Sequence, residues 1–307
     1  MPYADLREFM DRLRAEGELV AIDEEVDWDL EIGALTRLGL DERGPALLFR
    51  NVKGYPGRPV LGNVLGPSKP VVQGKVALAM DLPRATPTEE LIAEFRRRYR
   101  RPLPPRRVAM APCKQNVLRG DDVDLFMFPA PLLHEGDGGR MIGTWHITVT
   151  RDPDSGWVNW GTYRHQLHTR TTCGFLAHPA QHGPWIYYQK YEARGEPMPM
   201  AIAIGAEPVT HLIAASQPAP GLSEADVVGA IRGEPIEVVR CETLDLDVPA
   251  SAEIVIEGYV YPHERELEGG FGEYTGFYAG GRFPRPVFHA ECITFRDDPI
   301  FTVSNPG

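Results

Sequence analysis

The chain reads as an α+β protein: a small N-terminal α/β domain over residues 1–105, then a strand-rich domain, a sheet or barrel, over residues 106–307. Three observations carry this expectation. Amphipathic helix patterns cluster before residue 101, and period-two apolar alternation dominates afterwards. Between them, Arg101-Pro102-Leu103-Pro104-Pro105-Arg106-Arg107 sets three prolines among charges, where no helix continues, so the domain boundary is placed on this linker.

Taken in order, Asp5 and Glu8 form a capping-box pattern over a helix with Leu6, Phe9, Met10 and Leu13 on one face, and Gly17 stops it. Residues 18–22 read as a strand. A second helix over 30–40 sets Leu30, Ala34, Leu35 and Leu38 on its apolar side. Ala46-Leu47-Leu48-Phe49 and Pro59-Val60-Leu61-Gly62 are short apolar runs bounded by glycine and proline, as strands are. A third helix over 88–98 ends in the basic run Arg96 to Arg101. Cations at a helix C-terminus complement its dipole, and this reading is preferred to phosphate or RNA binding because the rest of the chain is acidic. Past the linker, strands are expected at 146–150, 185–188, 201–204, 253–260 and 290–295. One helix interrupts them, from an N-cap at Ser223 through 224–231.

Composition narrows the function classes. With 307 residues, 43% of them hydrophobic, the chain can bury a sizeable core in two domains. A net charge of −11 argues against nucleic acid or an anionic membrane as partner. No apolar run reaches the roughly 20 residues of a membrane helix. Charges at Asp5, Arg7, Glu8, Asp11 and Arg12 interrupt any signal core, so a cytoplasmic location is expected. Cys113, Cys173, Cys241 and Cys292 lack a CxxC pairing and are expected to be buried reduced thiols.

Two stretches carry chemistry. Glu266-Leu267-Glu268-Gly269-Gly270-Phe271-Gly272-Glu273-Tyr274-Thr275-Gly276 is too glycine-rich for helix or strand and reads as a shaped turn. Two carboxylates on such a turn can approach each other, and a like charge or a dry pocket then raises the pKa of one into proton-delivering range. On the residues alone, a solvated acidic turn is the preferred reading. Earlier, Trp157-Val158-Asn159-Trp160-Gly161-Thr162-Tyr163-Arg164-His165-Gln166-Leu167 follows the turn Arg151-Asp152-Pro153-Asp154-Ser155-Gly156 and sets Asn159 and Arg164 around two aromatics and a glycine.

Together with Asp5-Leu6-Arg7-Glu8-Phe9, Gly17-Glu18-Leu19 and Gly44-Pro45-Ala46-Leu47-Leu48-Phe49-Arg50-Asn51-Val52-Lys53-Gly54, these motifs resemble the UbiD family of prenylated-flavin-dependent (de)carboxylases, which includes the ferulic acid decarboxylases. The resemblance runs from about residue 4 to residue 307. It implies that the second domain is a flavin-reductase-like split β-barrel. It implies reversible non-oxidative decarboxylation of an aromatic, heteroaromatic or α,β-unsaturated carboxylic acid with prenylated FMN. By motif match, Glu273 is the proton donor, and Arg164 with Glu268 orients the substrate carboxylate.

The family pattern also assigns ligands. A divalent ion, Mn²⁺ or Mg²⁺, falls to Asn159, His182 and Glu224, and an amide oxygen, an imidazole and a carboxylate suit a hard octahedral ion. K⁺ falls to Trp160, Ala215, Gln217 and Glu224. Cofactor contacts fall to Asn159, Trp160, Gly161, Thr162, Tyr163, Arg164, Gln181, His182 and Glu224, with positions 174–176 used in other branches. Read singly, each is more often an ordinary residue: His182 a surface loop histidine, Glu224 a first-turn helix carboxylate and Asn159 a turn residue. The resemblance further implies a UbiX-like flavin prenyltransferase as cofactor supplier and a homodimer or higher homo-oligomer. Phe301-Thr302-Val303-Ser304-Asn305-Pro306-Gly307 reads as a strand running into a loop. The family continues further, so a C-terminal region that closes the site is expected to be missing. Two alternatives stand beside this reading: an FMN-dependent reductase, and a truncated, non-catalytic cofactor-binding subunit.

Overall fold

The computed structural model describes residues 3–278 and 280–306; Gly307, the last residue of the terminal Asn-Pro-Gly, lies outside the described residues. The first third alternates α1 (Leu6–Ala15), β1 (Leu19–Val26), α2 (Glu31–Asp41), β2 (Ala46–Val52), β3 (Val60–Gly62), α3 (Gly74–Ala79) and α4 (Thr88–Tyr99). The capping expectation holds for α1: Asp5 accepts the Glu8 backbone N–H at 2.9 Å, and Leu6, Phe9, Met10 and Leu13 are buried.

Next come β4 (Arg106–Val108), β5 (Asn116–Arg119), β6 (Met141–Gly143), β7 (His146–Arg151), β8 (Val158–Gly161), β9 (His165–Gln166), β10 (Thr172–Gly174) and α5 (His182–Ile186). They are followed by β11 (Met198–Ile204), α6 (Pro208–Ala214), α7 (Glu224–Arg232), β12 (Glu237–Arg240), β13 (Asp247–Pro249), β14 (Ile254–Glu268), β15 (Phe283–Phe295) and β16 (Phe301–Val303). The α+β class therefore holds. Its centre is a seven-stranded sheet in the order β10-β15-β14-β11-β7-β8, with β5 beside β10 on the outer edge of β15.

Along β11, Ala201 and Ala203 face one apolar core while Met200, Ile202 and Ile204 face another. The sheet is thus buried on both sides, which explains its nearly unbroken apolar run. A smaller sheet, β1-β2-β3-β16, completes the N-terminal third with a strand from the far end of the chain, β16 lying parallel to β3.

Four expectations need correction. The buried side of α2 is Ile32, Gly33 and Thr36, whereas Leu38 is 57% exposed. The cause is a backbone crossing: a Cβ on Gly33 would stand 2.1 Å from the Leu133 carbonyl oxygen, so the helix turns its smallest residue inward. Gly33→Ala is accordingly expected to lower stability by about 2 kcal/mol, because an overpacking cost of about 3 kcal/mol exceeds a helix-propensity gain of about 1 kcal/mol. Urea denaturation checks this.

Residues 185–188 are not a strand. Trp185 N–H donates to Gln181 O at 2.8 Å, and α5 widens into a π-turn over Tyr187–Tyr191. The strand-rich region also holds α6 as well as α7. Glu207 caps α6 by accepting the N–H groups of Val209 and Thr210, and Pro208 takes its first position. Ser223 sits at the N-cap of α7 without a side-chain cap bond. Finally, the proline segment is docked rather than loose: Leu103 N–H bonds Asp226 O, and Arg106 and Arg107 belong to β4, which pairs parallel with β12.

Candidate active site

The site begins at β8, which ends at Gly161 and delivers Asn159 and Trp160, both buried, to the first turn of α7. Glu224 opens that helix. Its carboxylate accepts Asn159 Nδ2 at 3.0 Å and the Trp160 backbone N–H at 2.8 Å. Burial pushes the Glu224 carboxyl up to about 7, because desolvation outweighs these donors. His182 Nδ1 stands 3.9 Å from the same carboxylate, and burial lowers the His182 pKa, favouring the neutral ring that metals bind.

Tyr163 ties this corner together. Its hydroxyl donates to Asn159 Oδ1 and accepts the Gly183 N–H, each at 2.9 Å. A Cβ on Gly183 would meet the Tyr163 ring at 2.6 Å, so only glycine fits at this turn of α5.

A cavity of about 110 Å³ is lined by Asn159 through Tyr163, Gln181, His182, Ala214 through Gln217, and Glu224. The structure therefore brings together the whole divalent-ion set, the potassium set and the cofactor set except Arg164. The volume suits an ion and a phosphate-sized group, being smaller than the roughly 300 Å³ at which whole-ligand clefts begin. Its lining holds neither lysine nor arginine, so an anionic phosphate there would need a cation as counter-charge. By donor type, Asn159, His182 and Glu224 fit a hard divalent ion. Asn159 turns its amide nitrogen to Glu224, so its oxygen reaches an ion at that carboxylate only after the amide rotates. Among the described residues no trio of His, Cys, Asp or Glu side chains is grouped for a metal, and the amide is integral to this set.

Arg164, one residue past Tyr163, is outside the cavity lining. Its Nε donates to Glu268 Oε1 and its Nη1 to Glu273 Oε1, each at 2.8 Å. Phe271 lies against the guanidinium, with its ring centroid 4.9 Å from Cζ. Three residues of one glycine-rich stretch thus converge on one arginine. The two carboxylates meet the guanidinium rather than each other.

Glu268 is the last residue of β14, so the expected turn starts at Gly269 rather than at Glu266. The Glu268 side chain is wholly buried, while Arg164 is 15% and Glu273 28% exposed. Glu268 Oε2 lies under Gly174, where a Cβ would stand 2.6 Å away, and it has no hydrogen-bond partner among the described residues.

Buried neutral histidines hold the backbone around Arg164. His165 Nδ1 donates to Gly174 O at 2.8 Å and its Nε2 accepts the Thr148 hydroxyl at 2.9 Å; burial drives its pKa down to about 4. His146 Nε2 donates to Tyr163 O at 2.9 Å.

Sequence reasoning missed the loop that grips the glycine-rich turn. Asp137 accepts the Gly272 N–H at 2.9 Å, and Gln166 accepts the Gly269 N–H at 3.1 Å. An acid followed by two glycines, Asp137-Gly138-Gly139, was the available signal.

Comparison with known proteins gives two family matches. Residues 106–307 match the 3-octaprenyl-4-hydroxybenzoate carboxy-lyase Rift-related domain of the UbiD family, and residues 10–95 match its N-terminal domain. A pyrrole-2-carboxylic acid decarboxylase of Pseudomonas aeruginosa is 42% identical over 99% of this chain and 62% of its own length. A phenolic acid decarboxylase of Streptomyces sp. strain D7 is 39% identical over 98% of this chain and 63% of its own. The chain thus spans somewhat under two thirds of these relatives.

Among solved structures, an evolved dimeric form of the UbiD-class enzyme HmfF from Pelotomaculum thermopropionicum, in complex with prFMN, superposes with a TM-score of 0.90. It is 36% identical, covering 99% of this chain and 68% of that one. The closed form of Sedimentibacter hydroxybenzoicus vanillic acid decarboxylase gives a TM-score of 0.94 at 35% identity, covering 100% of this chain and 65% of that one.

Proposed function

The chain belongs to the UbiD family, and from that premise we propose that it serves reversible, non-oxidative decarboxylation of an aromatic, heteroaromatic or α,β-unsaturated carboxylic acid with prenylated FMN. The observation that carries this reading is the Arg164 guanidinium held between Glu268 and Glu273, one residue past Tyr163 in the lining of the Asn159–His182–Glu224 cavity. Residues 1–105 and 106–307 serve as its two domains.

In this reading Glu268 fixes the Arg164 guanidinium, because a wholly buried carboxylate gripping Nε leaves the arginine little rotational freedom. Arg164 then orients the substrate carboxylate through its remaining N–H donors, a planar fork suited to that task. Glu273, more exposed than Glu268, delivers the proton to the carbon that loses CO₂. Prenylated FMN, when bound, supplies the electron sink for that carbon. Asn159, His182 and Glu224 would hold Mn²⁺ or Mg²⁺, and Trp160, Ala215, Gln217 and Glu224 would hold K⁺, against the cofactor phosphate. The remaining cavity residues, with Gln181, would contact the cofactor. A UbiX-like prenyltransferase supplies it, the protein assembles as a homodimer or larger homo-oligomer, and the setting is the cytoplasm. Among the described residues no helix is long and apolar enough to cross a membrane.

The test is co-expression with a flavin prenyltransferase, followed by mass and absorbance analysis of the released small molecule, metal analysis and a screen of acids for CO₂ release. Prenylated FMN with about one divalent ion per chain supports the reading. Plain FMN with NAD(P)H oxidation would favour the reductase alternative, and retained prenylated flavin with no CO₂ release a non-catalytic cofactor-binding subunit. Within the same experiment, Glu224→Ala is expected to cut divalent-ion affinity by more than about 100-fold, the upper end of what outer-shell changes cost, since a direct ligand is lost. Metal content after dialysis checks this.

A further inference from the structure

We propose that Asp137 is a positioning residue that sets where Glu273 stands, by latching the glycine-rich loop onto the segment between β5 and β6. The inference rests on the decarboxylase reading for its kinetic consequence but not for its geometry. Glu268 ends β14, and the loop joining β14 to β15 contains Phe271 and Glu273; all three meet Arg164. Glycines at 269, 270, 272 and 276 give this loop little intrinsic stiffness. Its tip is closed by Glu273 N–H to Phe277 O at 3.1 Å and Gly276 N–H to Glu273 O at 2.8 Å, whereas the residues leading up to Glu273 are held from outside.

Most of these outside contacts lie on one strip of chain, residues 136–138. Asp137 Oδ1 accepts the Gly272 N–H at 2.9 Å, adjacent to Glu273. Gly138 N–H donates to Gly270 O at 2.8 Å, and Gly136 N–H donates to the Tyr278 hydroxyl at 3.1 Å. Gln166, from β9, bridges the two partners: it accepts the Gly269 N–H and donates to Gly138 O at 3.3 Å.

Of these contacts, Asp137 is the charged one, and its side chain is wholly buried. Its second oxygen is used to hold the strip itself, accepting His134 N–H at 3.1 Å with His134 Nδ1 at 3.2 Å. One carboxylate thus joins the turn at His134 to the residue before Glu273. A charge-assisted bond to a backbone amide is roughly twice as strong as a neutral one, so its removal should free the loop locally. Glu273 would then keep its carboxyl group but lose its fixed distance to Arg164.

Two measurements test the latch. In hydrogen–deuterium exchange on the cofactor-free protein, Asp137→Ala is expected to speed exchange of the peptide spanning 269–278 by about tenfold or more, with β11 peptides unchanged. Asp137→Asn, which retains an acceptor for Gly272, should restore part of the protection and serves if the alanine variant fails to fold. On flavin-loaded enzyme, Asp137→Ala should lower kcat about tenfold with KM and flavin content unchanged. The same change on a Glu273→Gln background should add little, since residues acting through one group are non-additive. Unchanged loop exchange in both variants, or kinetic losses that multiply across the cycle, overturns the proposal. Were the wild type to show no turnover, the decarboxylase reading would fail, while the exchange experiment would still decide the latch.

Discussion

Glu273→Gln is expected to lower the rate of CO₂ release by about 10²–10⁴-fold, the usual contribution of a positioned general acid. The amide has nearly the volume of the carboxyl and can still accept from Arg164 Nη1, which now meets Glu273 Oε1 at 2.8 Å. Geometry is therefore retained while the transferable proton is removed. Folding, divalent-ion content and flavin retention should match the wild type, because Glu273 takes no part in the Asn159–His182–Glu224 corner. Turnover indistinguishable from wild type, measured on flavin-loaded protein, would remove Glu273 from the proton-donor role.

Arg164→Ala should act on stability as well as activity. Glu268 is wholly buried, and Arg164 supplies the hydrogen bond to its Oε1. Stripping the cation from a buried pair leaves an uncompensated charge and costs about 3–5 kcal/mol, much more than the loss of an exposed salt bridge. Pairing the change with Glu268→Gln should recover a large part of that loss, since an uncharged amide tolerates burial better, yet activity should stay absent. Urea denaturation of the two variants checks this. Equal midpoints for Arg164→Ala and wild type would mean that the pair contributes nothing to folding.

How much of this was legible in the sequence depended on whether a motif or a local contact marked it. The family motifs marked Arg164 and Glu268, which meet across 104 residues, and Asn159, His182 and Glu224, which line one cavity, whereas Glu273 meets Arg164 rather than the second carboxylate of its turn. The α1 cap was equally readable, since Asp5 acts three residues along its own chain.

What failed was long-range. The buried side of α2 is dictated by the carbonyl of Leu133, a hundred residues away, and no count of leucines reports that crossing. Trp185-Ile186-Tyr187-Tyr188 has strand-like composition, yet the backbone is helical and buries Ile186 and Tyr187 while Trp185 stays 41% exposed. Helix α6 escaped notice because glutamate is an unusual cap, although Pro208 marked its first turn. Asp137 was missed because its partner, Gly272, contributes only a backbone amide.

The pairing of β16 with β3 bears on the order in which the protein can be made. As the chain leaves the ribosome, β1, β2 and β3 are available early, but the far edge of β3 has no neighbour until Phe301 is synthesised. At about 5–20 residues per second this leaves an unpaired strand edge for roughly 10–50 s. Such an edge is a template for pairing with other chains. The edge is short, Val60–Gly62, which limits the hazard, and Thr302 and Asn305 then fasten the late strand by bonding Trp145 O and Gly33 O. The N-terminal sheet therefore closes only after the whole stretch between β3 and β16 has been synthesised.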